Sequence, residues 1–216
     1  MARPRTELAL VKVFVAPRIL TVEELSRRLD ASRSTILRRL HEHGYHSSYN
    51  HSGRFLTIPE ITEFDSHGLW TFKTARFSRH GNLKDTIEHF VGSSEAGLKH
   101  QELAELLAVR VHNPLLDLVE DGKVARQRIG GSYVYLSPKT RAQKQQAKRR
   151  FALVKEAEKP RVTSGQIIAT LLELIKDSEA TPAEIAARCQ RAGTSISRQV
   201  VEVIFARYEL GKKRAP

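Results

Sequence analysis

A single cysteine, Cys189, occurs in 216 residues. It excludes an intramolecular disulfide and any zinc site built on several thiolates, and it suits a reducing compartment. No apolar run approaches the roughly 20 residues that a bilayer-spanning helix needs. The opening stretch, MARPRTELALVKVFVAPRILTVEELSRRL, carries two arginines and then apolar residues. Lys12 and Arg18 interrupt that run and a charged helix pattern follows, so no secretory leader is expected. Glycine-rich phosphate loops are also missing, since GSYVYLS and GTSIS are too generic for a phosphate cradle or a nucleophile elbow.

Acidic charge is the other shortage. The chain has 24 Asp and Glu against 36 Lys and Arg, for a net charge of +12. A polyanionic partner, most simply a nucleic acid, follows from that excess, although composition alone would also suit other basic proteins. The charge is uneven. Residues 81–122 hold 3 basic and 8 acidic side chains, whereas 123–161 hold 12 and 2. A basic head, an acidic block and a strongly basic middle cannot present equivalent surfaces.

Local patterns divide the chain. Around Leu10 and Phe14 the spacing predicts a helix that Pro17 ends. Thr21 and Glu24 form a capping box, and Val22, Leu25 and Leu29 share a face behind it. After the turn at Asp30-Ala31, Ser32 or Ser34 caps a third helix that points Ile36, Leu37 and Leu40 inward. Arg33, Ser34, Thr35, Arg38 and Arg39 take its more exposed positions. Gly44 closes it. Two short strands follow, around a polar turn at His51-Ser52-Gly53, with Arg54 at the start of the second. Helix, helix, turn, helix, hairpin is the order of a winged helix-turn-helix. A short third helix fits a major groove of roughly 12 Å, with arginines reaching phosphates or guanine edges. His51 and Arg54 on the wing would meet the backbone. The plainer reading is a winged helix that packs on protein.

The segment RSTILRRLHEHGYHSSYNHSGRFLTI resembles the recognition helix and wing of bacterial winged-helix transcription regulators, over about residues 8–58. By that resemblance, base contacts are carried by Arg33, Ser34, Thr35, Arg38 and Arg39, and backbone contact by Arg54. EITEFDSHGLWTFKTARFSRHGNLKDT is similar to part of a group of bacterial proteins that carry two such units.

The order recurs further on. Residues 59–81 are a connector with strand character at Leu69–Phe72, and Trp70, Phe72 and Phe77 are expected to seal one unit against the next. A platform on which bases stack is the alternative. Asn82 caps a helix, two more follow, and Gly130-Gly131 marks a hairpin turn. The third helix of this unit, expected over Val109–Asp121, carries Asp117, Glu120 and Asp121 near its end, which would repel phosphate. A packing or dimerisation role suits it, with Arg126 and Arg128 on the hairpin as an auxiliary clamp. From Lys139 to Arg150 there is no acid, and Lys144, Lys148, Arg149 and Arg150 are candidate phosphate contacts on a helix or a linker. Ile167, Ile168, Leu171, Leu172 and Ile175 then make an apolar helix face. Thr181-Pro182-Ala183-Glu184 starts another helix, and a third follows. These form a dimerisation domain or a wingless helix-turn-helix with Arg191, Arg198 and Arg207 as contacts.

The expected fold is mainly α with small β-hairpin wings, an α+β class. It comprises a winged unit at 1–58, a connector at 59–81, a second winged unit at 82–137, a basic helix or linker at 138–162 and a three-helix domain at 163–210. His41, His43, His46 and His51 lie close in sequence, but His41 and His43 point apart on a helix and no cysteine accompanies them, so no metal and no cofactor is expected. Scattered Ser, His and Asp residues make no catalytic case. The leading expectation is a cytoplasmic, nucleoid-associated regulator that binds double-stranded DNA by sequence, as a homodimer and without a membrane. Its rivals are an architectural, transposition- or replication-associated DNA-binding accessory protein and a winged-helix interaction scaffold.

Overall fold

The protein was analysed as a computed structural model that describes residues 4–157, 160 and 162–210. The start of the first expected segment (1–3) and residues 158, 159 and 161 of the basic stretch lie outside them. The described chain is mainly helical with small antiparallel sheets, an α+β protein. It forms two compact units, 1–150 and 151–216.

The first unit begins with α1 (Pro4–Val15), α2 (Val22–Leu29) and α3 (Arg33–His43). The Thr21 capping box forms as expected: Glu24 N–H donates to Thr21 Oγ1 at 3.2 Å and Thr21 N–H donates to Glu24 Oε2 at 2.7 Å. Such a cap is worth about 1 kcal/mol. Asp30 takes a left-handed backbone, φ 45°, which turns the chain into α3. Ser32 is the cap, and Thr35 N–H donates to its hydroxyl. Phe14, Leu20, Leu25, Ile36, Leu40 and Ile58 meet in one fully buried core. β1 (His46–Ser47) and β2 (Leu56–Thr57) pair antiparallel, with Ser47 opposite Leu56, and Leu20 bridges to Leu56 from the other side.

The connector is more ordered than its sequence suggests. β3 (Leu69–Phe72) and β4 (Ala75–Ser78) make a complete hairpin, Trp70 opposite Phe77. Trp70, Ala75 and Phe77 form a small core of their own. Buried to 6% and 0% exposure, Trp70 and Phe77 have no face open to bases, which leaves the partly exposed Phe72 as the one ring of the three with accessible surface.

Next come α4 (Leu83–Ser93), β5 (Leu98–Lys99), α5 (His100–Leu107), α6 (His112–Glu120), β6 (Ala125–Ile129) and β7 (Ser132–Leu136), in a sheet of order β5-β7-β6. Gly130 and Gly131 both have positive φ, 57° and 77°, as a tight β6–β7 turn requires. α6 starts three residues later than the pattern predicts, because Ala108 turns left-handed (φ 50°) and ends α5, and Val111 precedes α6 outside helical geometry. Ile87, Leu103, Leu107, Leu115 and Leu118 fill the core together with Tyr49 and Leu69 from the preceding segments. Tyr49 also donates its hydroxyl to the Leu107 carbonyl at 3.0 Å. The first 150 residues are thus joined by side chains and not only by the chain.

Gly97 shows how tight the β5–β7 seam is. A Cβ there would lie 2.4 Å from Leu136 Cδ2 and 2.6 Å from the Tyr135 carbonyl, at a φ of +64°. Gly97→Ala is therefore expected to destabilise this unit by about 2–3 kcal/mol, from left-handed strain and overpacking together. Thermal unfolding measures it; a melting temperature within a degree of the parent would refute the tight seam.

α7 (Thr140–Ala157) resolves the helix-or-linker question in favour of a helix. Its first part is docked. Gln146 is buried, accepts from Ser137 N–H at 2.7 Å and donates to the Val91 and Ser94 carbonyls at 2.8 and 2.7 Å.

The second unit contains α8 (Ser164–Lys176), α9 (Pro182–Arg191) and α10 (Arg198–Arg207), with no strand among its described residues. The cap at Thr181 with Pro182 in the first turn and Glu184 at the third position forms as expected. Ile185, Cys189, Val201 and Ile204 make the core, and burial pushes the Cys189 thiol up from its ordinary range. The apolar face expected on α8 is present but only partly covered. Ile167 and Leu171 are partly covered, but Ile168, Leu172 and Ile175 are 52–80% exposed.

Candidate nucleic-acid interface

α3 is built to show one face. Ile36 and Leu40 anchor it in the core with no exposure. At about 100° per residue, the opposite side carries Ser34, Arg38 and Glu42, which are all exposed. Thr35 and Arg39 flank that stripe and are partly covered. Arg33 lies off the stripe and pairs with Glu23 on α2 at 2.9 Å. Ser34 and Thr35 turn their hydroxyls toward Ser32, at 3.0 and 2.9 Å. Arg38 and Arg39 have no ion-pair partner among the described residues. Glu42 is a feature the sequence reading passed over. It makes the C-terminal half of the stripe repel phosphate, so the N-terminal half is the approachable part.

The β1–β2 hairpin lies beside it. Arg54 is exposed, its guanidinium carbon 5.0 Å from the Phe55 ring centroid. His51 does less than expected at the tip: its Nε2 lies 3.0 Å from the Thr74 carbonyl, which occupies that nitrogen. The other clustered histidines separate. His43 meets Glu60 at 3.1 Å, His46 packs edge-on to Phe64, and His41 packs edge-on to Tyr45. Burial and the charge of Arg79 lower the pKa of His46. Among the described residues no group of three or more His, Cys, Asp or Glu is arranged to hold a metal.

On the β6–β7 hairpin Arg126 and Arg128 are exposed, and Arg126 sits 4.7 Å from the centroid of the exposed Tyr133 ring. α6 does not present a comparable unpaired basic face. Asp117 bonds Lys84 of α4 at 2.9 Å, a bond that raises the lysine pKa, and Leu116 lies exposed between His112 and Glu120.

α7 divides the four expected phosphate contacts. Lys144 and Lys148 are exposed and, with Arg141, line the side opposite Gln146. Arg149 is exposed but paired with Glu95 at 2.8 Å. Arg150 must be removed from the surface. It is 8% exposed, its Nη atoms each bond a Glu102 oxygen at 2.8 Å, and it donates to the Ala96 carbonyl at 3.0 Å and to the Gly97 carbonyl. With four of its five N–H donors engaged inside the fold and only 8% of the residue exposed, it holds the fold together and is not a surface charge for phosphate.

Lys73 and Arg76 on the β3–β4 hairpin are basic and absent from the expected set. A lysine-threonine turn between two short alternating segments, LWTF and ARFS, was the available signal. No protein-family model matches this chain, and no curated protein or solved structure matches it significantly. No helix among the described residues is long and apolar enough to cross a membrane.

Proposed function

We propose that this protein binds double-stranded DNA by sequence and acts as a transcriptional regulator. In this reading, residues 4–58 and 82–137 are two winged helix-turn-helix units. α3 enters the major groove, where Arg38 contacts bases and Arg39 and the first-turn hydroxyls contact backbone. Arg54 and the exposed β6 arginines add backbone contacts, and Arg141, Lys144 and Lys148 supply affinity without reading sequence. The observation that carries the proposal is α3 itself: fully buried on one side, with Arg38 exposed and without an ion-pair partner at the middle of the other. The second winged helix-turn-helix unit, 82–137, contributes through its β6–β7 hairpin, because Asp117 of α6 is committed to Lys84 and acids follow it. The exposed Ile168, Leu172 and Ile175 on α8 support pairing of two copies through the C-terminal helices.

The test is a nuclease footprint of the purified protein over the DNA flanking its own coding sequence, at about physiological salt. A short protected site, repeated as two half-sites for a dimer, is the expected result. Coverage without a bounded site would replace the regulator with an architectural DNA-binding protein. No retention of DNA at all would defeat both and leave the interaction scaffold.

A further inference from the structure

The β3–β4 hairpin is tied to the β1–β2 hairpin at its tip, and this tie carries a consequence for DNA contact. Asn50 donates its side-chain amide to the Thr74 carbonyl at 2.7 Å and accepts from Arg76 N–H at 2.9 Å. Tyr49 N–H donates to the Arg76 carbonyl at 2.8 Å, and His51 Nε2 lies 3.0 Å from the same Thr74 carbonyl. The two tips are therefore one surface, held at four points. Lys73 stands at the turn with φ 54°, exposed, its ammonium 5.8 Å from the Phe72 ring centroid, and Arg76 is partly exposed, donating to Thr71 Oγ1 at 3.3 Å and lying beside the Tyr49 hydroxyl. Neither has an ion-pair partner among the described residues. From Ser66 to Lys84 the sequence has no Asp or Glu, so no acid from this segment offsets them.

A hairpin needs none of this to fold. Lys73 occupies a left-handed position that glycine or asparagine fills with less strain. Arg76 meets only neutral groups, Thr71 Oγ1 and the Tyr49 hydroxyl, and neither offsets its charge. Two basic side chains without acidic partners, fixed to the tip that carries Arg54, suit a row of phosphates continuing past that tip.

We propose that the β3–β4 hairpin is a second backbone-contacting arm, in which Lys73 and Arg76 each neutralise a DNA phosphate beside those met by the β1–β2 hairpin, with Asn50 and His51 as positioning residues. The proposal rests on the DNA-binding reading above. Its ligand is the phosphodiester backbone and not the bases, so the arm adds affinity at any sequence.

The experiment measures binding of the full chain to its footprinted duplex across a salt series. Lys73→Asn keeps the left-handed turn tolerable, and Arg76→Gln keeps a donor for Thr71. Together they are expected to weaken binding about tenfold at physiological salt and to flatten the slope of log K against log salt by about 1.8, which is 0.9 per lost phosphate contact. Specific and nonspecific duplexes should lose affinity equally, and ethylation interference should vanish at phosphates on one edge of the site. If the double variant melts early, Lys73→Asn alone should still flatten the slope by about 0.9. An unchanged slope in a variant that folds and binds like the parent overturns the arm and leaves the DNA-binding reading standing. A parent that binds no duplex overturns both.

Discussion

Arg150→Ala is expected to lower the stability of the first unit by about 3 kcal/mol, and the loss should depend on pH. The guanidinium joins α7 to the start of α5 through both oxygens of Glu102 and to the preceding loop through the Ala96 and Gly97 carbonyls. Removing one partner of a buried pair costs roughly 3–5 kcal/mol, because the other charge and its acceptors are left without donors. Glu102 is 38% exposed and regains some water, which places the effect at the lower end. Arg150→Lys should recover part of the loss only, since an ammonium cannot bond both oxygens in a fork while reaching two carbonyls. Burial pushes the Glu102 carboxyl up, but the hydrogen bonds from Arg150 and Lys99 N–H, with the arginine's charge, outweigh it, and the net pKa is lowered. A carboxylate with a depressed folded-state pKa stabilises the fold above its unfolded value and loses that contribution as pH falls through the folded one. The gap between parent and Arg150→Ala should therefore be full at pH 7 and narrow below about pH 4. Urea unfolding followed through Trp70, the chain's one tryptophan and a resident of this unit, measures both. A difference under about 1 kcal/mol at pH 7 would show that Gln146 and apolar contacts hold α7 without the ion pair.

Arg150 also marks where the sequence stops being readable. Signals that act within a few residues were legible. The capping boxes at Thr21 and Thr181, the cap at Asn82 and the Gly130-Gly131 turn all form where the pattern places them. So do the inward Ile36 and Leu40 of α3, on which the candidate face depends. The docked face of α7 was not legible, because it is polar. Gln143, Gln146, Ala147 and Arg150 recur at helical spacing, but hydrophobic periodicity is blind to glutamine and arginine. Their partners Val91, Ser94, Ala96, Gly97 and Glu102 lie some 50 residues away in the chain. The same limit hid the ties of Asn50 and His51 to Thr74, which make a histidine expected at the wing tip part of a joint between two hairpins. It also hid half of the connector. LWTF has the composition of a strand, but its partner ARFS offers only two apolar residues, Ala75 and Phe77, on either side of an arginine, and only pairing across the Lys73-Thr74 turn makes it one. On α8 the pattern was legible but incomplete. Apolar residues at 167, 168, 171, 172 and 175 cover more of the helix than two neighbours can bury, so the pattern identified an apolar face without saying that part of it stays open.

The larger effect on binding is expected at α3. Arg38→Ala and Arg39→Ala should together weaken binding to the footprinted site about 100-fold, and the two arginines should fail in different ways. Arg38 is exposed at the centre of the outward stripe, opposite Ile36 and Leu40, where a guanidinium reaches base edges. A bidentate contact to guanine discriminates by about 1–3 kcal/mol, so Arg38→Ala should relax sequence preference at one base pair and weaken nonspecific duplex less. Arg39 lies on the flank, partly covered, which in the proposed docking faces the groove wall. Its loss should weaken every duplex alike and flatten the salt slope by about 0.9. Glu42 provides the opposite control. It stands on the same stripe one turn beyond Arg38, so Glu42→Gln should tighten binding a fewfold and do so most at low salt, where repulsion is least screened. None of the three side chains contributes to the buried core, so circular dichroism and melting temperature should stay at parental values. Fluorescence anisotropy against specific and nonspecific duplexes over a salt series separates all three effects. A double arginine variant that folds normally and binds the site within twofold of the parent, with the parental salt slope, would remove α3 from the interface. The basic side of α7 and the paired hairpins would then have to account for any binding, and they offer charge without a means of reading bases.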